Sequence, residues 1–261
     1  MADVICSSTG NTVSMEYCKE CALNVPPCGY DYTLIKQVHK SLIPRTGTHV
    51  TDLVHCLRRS WYEVLEPRPE HVSEVLYRVL GTAMHSIVEG MEDEHMIAEM
   101  PLEYHGIVGT VDAYYPEKKR LVDHKTSRWI KKANLPYGEH EMQVNIYRWM
   151  LEGNGYPVDR MYVHYIDMSG PTKCRKCKLP MIEDNGVIAC PVCGTTYADA
   201  HHGAIMYPIS VMDMDEIEKF VLDRKEKLEK AIETKEPPES DAGFLCNYCQ
   251  FRDVCPDSQA R

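Results

Sequence analysis

Asp112 closes the run Gly109-Thr110-Val111-Asp112, and Asp123 follows eleven residues later in Leu121-Val122-Asp123-His124-Lys125-Thr126-Ser127. Two short β-branched runs thus each end near a carboxylate. Lys125 falls on the same strand face as Asp123, because strand side chains alternate with period two. Two carboxylates suit a hard divalent cation such as Mg²⁺ or Mn²⁺, and an ammonium beside them can position a water or offset charge on a phosphate. That chemistry is phosphodiester hydrolysis. The plainer alternative is an Asp-x-Lys on a solvated strand face.

Two amphipathic segments flank this core. From about Ser73 to Glu89, Val75, Leu76, Val79, Leu80, Ile87 and Val88 recur at helical steps and carry Gly81-Thr82-Ala83-Met84-His85. His85 is either a packed or exposed helix residue or a further ligand for a cation held by Asp112 and Asp123. A second helix, from about Glu139 to Gly153, places Gln143 and Tyr147 on one face. Their alternative is a polar face beside a core of Ile146, Trp149 and Met150.

The order Gly-x-x-x-His, Gly-x-x-Asp, Asp-x-Lys-Thr-Ser, Gln-x-x-x-Tyr resembles the RecB-like branch of the PD-(D/E)XK nucleases over roughly residues 45 to 256. The resemblance implies that His85, Asp112 and Asp123 ligate metal together with the backbone carbonyl of His124. It makes Lys125 the catalytic lysine, and Gln143 and Tyr147 the accessory pair. It also implies an α/β restriction-endonuclease-like core with a mixed central sheet.

The chain has twelve cysteines, largely as Cys-x-x-Cys pairs, with no signal-peptide pattern and no apolar run of membrane-spanning length. Metal-binding thiolates in a reducing cytoplasm fit this better than disulfides. Cys174-x-x-Cys177 and Cys190-x-x-Cys193 have the spacing of a zinc ribbon, a tetrahedral four-thiolate site. With few apolar side chains, this insert depends on its metal to fold. Near the C-terminus, Cys246-x-x-Cys249 and Cys255 leave a four-ligand site one ligand short, and Cys56 is the candidate fourth. A lone upstream cysteine joined to such a trio resembles the iron–sulfur staple of the Cas-four and AddB nucleases, which implies a 4Fe–4S cluster. A second zinc site, or an unligated Cys56, remains the alternative. Cys6, Cys18, Cys21 and Cys28 form a third group, either a small zinc module or a mobile leader with free thiols.

The domain reading follows: a cysteine-bearing leader over 1–44, a nuclease core over 45–170 and 197–240, a zinc-ribbon insert over 171–196, and a cluster-binding tail over 241–261 paired with Cys56. Within the core, a helix runs from Thr48 or Thr51 through Leu65, followed by the His85 helix. Strands occupy 96–104, 106–115, 120–126, 160–168 and 204–211, and a long charged helix spans 213–235. The formal charge of −10 disfavours indiscriminate duplex binding. Basic clusters at Arg58-Arg59, Lys118-Lys119-Arg120, Arg128 with Lys131-Lys132, and Lys173-Arg175-Lys176-Lys178 are candidate phosphate contacts, or solvated faces. They are compatible with a narrow channel for a single strand, or with a basic partner.

The resemblance implies a Mg/Mn-dependent exonuclease on single-stranded DNA, usually of 5′→3′ polarity, in CRISPR spacer acquisition (antiviral defence) or recombination. A protein of one of those pathways would be its partner, and no membrane is involved. The rival readings are a non-catalytic zinc and iron–sulfur adaptor binding nucleic acid or protein, and a sequence-specific endonuclease.

Overall fold

A computed structural model describes residues 3–91, 93–127, 135–168, 172–184, 187–196, 203–241 and 243–259. The chain opens with strands β1 (Asp3–Ile5) and β2 (Thr12–Ser14), then helices α1 (Met15–Ala22) and α2 (Tyr32–Ser41). Strand β3 (Thr48–His49) leads into helices α3 (Val50–Val54) and α4 (Leu57–Leu65), and strand β4 (Glu70–His71) into helix α5 (Val72–Glu89). Strands β5 (Ile97–Tyr104), β6 (Ile107–Tyr115) and β7 (Arg120–Ser127) follow, then helix α6 (Gly138–Gly153) and strand β8 (Arg160–Asp167). The last elements are strands β9 (Ile182–Asp184), β10 (Val187–Ala189) and β11 (Ala204–Pro208), and helices α7 (Met214–Thr234) and α8 (Pro256–Gln259).

These elements form two compact units, one from the described parts of 1–86, 105–109 and 214–261, the other from those of 87–104 and 110–213. In the second unit β6 and β7 pair antiparallel, β7 and β8 parallel, and β8 and β11 antiparallel. The sheet is therefore mixed, and the protein is α/β. Helix α6 makes the crossover that a parallel β7–β8 pair requires. It packs on β5, β7 and β8. Ile146 and Met150 of the helix and Leu121, Val163 and Tyr165 of the strands are at most 1% exposed. Burial of this kind, at roughly 25 cal/mol per Å² of apolar surface, is what holds the helix on the sheet.

In the first unit, the leader is folded. Ser14 and Asp31 cap α1 and α2, accepting from the amides of Tyr17 and Leu34 at 3.2 and 3.1 Å. β1 pairs antiparallel with β2 and parallel with β4. Val4, Met15, Ala22, Ile35 and Val38 share a core with Val72 and Val75 at the start of α5. The helix expected to run unbroken to Leu65 is instead two helices, because the chain is extended at His55 (ψ 171°). The carbonyls freed at the end of α3 are taken by Arg224 of α7, which donates to Leu53 and His55 at 2.6 Å each. Asp241 accepts from the Leu57 amide at 3.4 Å and pairs with Arg224 at 2.6 Å. No helix among the described residues is long and apolar enough to cross a membrane.

Candidate active site and metal centres

Ala113 pairs with Val122 at the last registered position of the β6–β7 ladder. The next residue along each strand beyond that pair is Asp112 on β6 and Asp123 on β7, 5% and 1% exposed. There the Asp112 carboxylate, rather than a backbone carbonyl, accepts from the His124 amide at 2.6 Å. Lys125 lies two residues along β7, with Nζ 3.0 Å and 3.3 Å from the two oxygens of Asp123. Strand alternation turns the His124 ring to the opposite face, where Nδ1 lies 3.0 Å from Nδ1 of His164. Only the backbone of His124 is thus on the carboxylate side.

Helix α6 supplies Gln143 and Tyr147, one turn apart. The Gln143 amide donates to the Tyr147 hydroxyl at 3.1 Å, and the two are 8% and 6% exposed. Burial pushes the Tyr147 pKa well above its usual value. The negative charge of Asp123, and to a lesser degree Asp112, adds to that, while hydrogen bonds from Gln143 and the Thr110 backbone oppose it. Asp112, Asp123, Lys125, Gln143 and Tyr147 are therefore neighbours in one buried, acidic site. Oxygen donors with one ammonium beside them form a hard-cation donor set. The side chain of His85, the other expected ligand, lies outside the described residues.

The motif order does not include Tyr165. It is the register partner of Lys125 across the parallel β7–β8 pair and is 1% exposed. Its hydroxyl accepts from the Tyr137 amide at 3.3 Å and lies 3.1 Å from His140 Nδ1. Burial pushes its pKa up to about 12, with the charge of Asp123 contributing. Alternation along β8 puts Met161, Val163, Tyr165 and Asp167 on the buried face, and this was the available signal.

The insert carries a preformed thiol site. The sulfurs of Cys174, Cys177, Cys190 and Cys193 all lie within 4.8 Å of one another, a Cys₄ cluster able to coordinate a metal ion. Two turns of one geometry present them. The Cys174 amide donates to Leu179 O at 2.9 Å, and the Lys178 amide donates back to Cys174 O at 2.8 Å. At Cys190 the same pair of bonds runs to Thr195 O and from Gly194, at 2.9 and 3.0 Å. Lys178 and Gly194 take the left-handed conformation this turn needs (φ 59° and 67°). Hydrogen bonds from the Cys177 and Lys176 amides lower the Cys174 thiol pKa. Lys173, Arg175, Lys176 and Lys178 are exposed around the first turn.

In the first unit, Cys56 is the N-cap of α4, and the C-terminal segment packs on that helix. Tyr62 stacks on Phe251 with centroids 5.0 Å apart. Arg58 donates to Pro238 O at 2.8 Å and pairs with Asp257 at 2.7 Å, and Arg68 pairs with Asp253 at 2.5 Å. Burial pushes the Cys249 thiol pKa up, and the nearby Cys56 and Cys255 add to this. The Cys246 sulfur accepts from the Gly243 amide at 3.4 Å. Arg58 and Arg59, candidates for phosphate contact, each carry an ion pair, Arg59 with Glu63 at 2.8 Å. Arg120 stacks over Tyr115 at 3.9 Å, and Lys119 pairs with Asp159 at 3.6 Å. Arg128, Lys131 and Lys132 lie outside the described residues.

A β-sheet face thus carries two buried carboxylates and a lysine, with helix α6 packed on the same sheet. The profile of the PD-(D/E)XK nuclease superfamily matches residues 33–256, and the chain belongs to that superfamily. The crystal structure of SSO0001 aligns with a TM-score of 0.52 and 22% identity, over 87% of this chain and 95% of that one. That likeness concerns the fold. A phage-related exonuclease from Haemophilus somnus 129PT aligns at 12% identity and TM-score 0.38, over 75% of this chain and 97% of that one. No curated protein matches the chain.

Proposed function

We propose that the protein is a Mg/Mn-dependent exonuclease acting on single-stranded DNA ends, in end processing for CRISPR spacer acquisition or recombination. The observation that carries this reading is the convergence of Asp112, Asp123, Lys125, Gln143 and Tyr147 in one buried site. Asp112 and Asp123 would hold the cation together with the His124 carbonyl, and the family resemblance adds His85 to its ligands. Bound there, the cation would supply Lewis-acid charge to the scissile phosphate. Lys125, tethered to Asp123, positions the attacking water. Tyr147, held neutral by its raised pKa, donates a hydrogen bond to Lys125's surroundings or to the strand, and Gln143 sets its orientation.

Separately, Cys56, Cys246, Cys249 and Cys255 would hold a 4Fe–4S cluster, and Cys174, Cys177, Cys190 and Cys193 would hold zinc. The all-thiolate donor sets fit both groups. The cluster ties α4 to the C-terminal segment, and the exposed lysines and arginine of the ribbon guide the strand.

The test is Mn²⁺-dependent degradation of end-labelled linear single-stranded DNA, beside a circular control. Asp112→Ala, Asp123→Ala and Lys125→Ala should each lower the rate by about a hundredfold or more, with the fold retained. The circle should stay intact. Near wild-type cleavage by any of the three variants refutes the assigned mechanism, and cleavage of the circle refutes the exonuclease assignment.

A further inference from the structure

The β1–β2 hairpin repeats, hydrogen bond for hydrogen bond, the turn that presents the ribbon thiols. The Cys6 amide donates to Asn11 O at 2.8 Å, and the Gly10 amide donates back to Cys6 O at 2.8 Å. These are the same five- and four-residue spans as at Cys174 and Cys190. Gly10 takes the left-handed conformation (φ 72°) seen at Lys178 and Gly194. The Thr9 hydroxyl and the amides of Ser8 and Thr9 lower the Cys6 thiol pKa, and the amides of Cys177 and Lys176 do the same at Cys174. In one respect the hairpin differs. Thr9 stands where the ribbon turns carry their second cysteine, so this turn offers a single thiolate.

Three further thiols lie close by. Helix α1 follows directly from β2 and carries Cys18 and Cys21. Cys28 lies on the loop beyond it, in a turn closed by the Gly29 amide on Pro26 O at 2.9 Å. Burial pushes the Cys18 thiol pKa up, and Cys28, Cys6 and Cys21 each add to it, so all three are within electrostatic reach of Cys18. Cys18 also packs against the core formed by Val4, Met15, Ala22, Ile35 and Val72.

We infer that Cys6, Cys18, Cys21 and Cys28 bind a structural zinc ion, through one hairpin-turn thiolate, two from a helix and one from a loop. Four thiolates on turn, helix and loop form a closed tetrahedral donor set for zinc. Among the described residues only the ribbon thiols gather within 4.8 Å, so the N-terminal four are more widely spaced. The site closes when an ion draws the hairpin, helix and loop thiols together. Its mechanical consequence lies in β1, whose Val4 and Ile5 pair with Glu70 and His71 of β4 immediately before α5. Ser7 Oγ also lies 3.4 Å from His71 Nδ1. The ion therefore braces the start of the helix that carries His85. This site is independent of the nuclease reading.

The experiment is zinc, iron and sulfide quantification on the full-length protein, with cobalt(II) substitution as the spectroscopic probe. Wild type should hold zinc in two sites, and Cys177→Ser should lose one of them. Cys18→Ser and Cys28→Ser should each lose the other, with a matching loss of thiolate-to-cobalt charge-transfer absorbance. Thr9→Ala, which removes no ligand, should keep both. Cys28→Ser alters a half-buried loop residue and decides the matter if Cys18→Ser does not fold. Full zinc in Cys28→Ser overturns the assignment. So does iron and sulfide, rather than zinc, departing with Cys28.

Discussion

Lys125→Ala separates the electrostatics of the site from its catalysis. Asp123 is 1% exposed on its side chain and Lys125 23%, with 3.0 Å between their charges. At an effective dielectric near 20 that separation is worth roughly 5 kcal/mol before desolvation is counted. Removing the ammonium leaves a buried carboxylate facing a second one at Asp112, and breaking such a pair costs about 3–5 kcal/mol. The residual exposure of Lys125 favours the lower end of that range. For a chain of this size the melting temperature should fall by roughly 6–20 °C in metal-free buffer. A divalent cation replaces the missing positive charge, so Mn²⁺ should raise the melting temperature of the variant more than that of wild type. Adding Asp123→Asn should recover much of the lost stability without restoring cleavage, because it removes the uncompensated charge. The assay is thermal and urea unfolding of wild type, both single variants and the double variant, with and without Mn²⁺. Equal stability of Lys125→Ala and wild type without metal, or an equal response to Mn²⁺, refutes the charge argument.

Three further outcomes are expected. Arg224→Lys keeps the charge but cannot hold the carbonyls of Leu53 and His55 and the Asp241 carboxylate at once. It should cost about 2–4 kcal/mol in urea unfolding and lower iron content through the displaced Cys56 turn, whereas wild-type values in both would contradict that role. Tyr165 keeps its proton in the folded state up to about pH 12, against a reference value of 10.0, so its contribution is complete below the reference value and is lost as pH rises between the two. The ceiling is about 3 kcal/mol, and Tyr165→Phe should flatten the stability–pH curve over that window. Replacing residues 172–196 by a Gly/Ser linker should preserve iron content and cleavage of short oligonucleotides while weakening binding of longer DNA, and collapse of both would make the ribbon part of the core.

The strands that carry the site were legible as short β-branched runs, although β6 and β7 are buried on both faces at their centres. The alternation of Leu121, Asp123 and Lys125, and the helical spacing of Gln143 and Tyr147, follow from a side-chain period that any folded context must respect. The gathering of Cys174, Cys177, Cys190 and Cys193 was equally readable, since tetrahedral thiolate ligation constrains the Cys-x-x-Cys spacing itself. The break between α3 and α4 was not. It depends on Arg224 and Asp241, remote in sequence, supplying partners for groups that an isolated helix would satisfy internally. The folded leader was hidden for a related reason. Its hairpin gains a third strand from β4, and its core is completed by Val72 and Val75 of α5.

Residue identity and spacing alone determined the chemistry on offer: a hard-cation donor set with a lysine, and thiolate sets in three groups. Those are local properties, written in alternation and ligand spacing. Tertiary structure decided which groups meet. It turned the His124 ring away from Asp112, brought Tyr165 beside Lys125, and drew Arg58 into an ion pair with Asp257. Such pairings depend on cross-strand register and long-range packing, to which residues far apart in the chain contribute jointly.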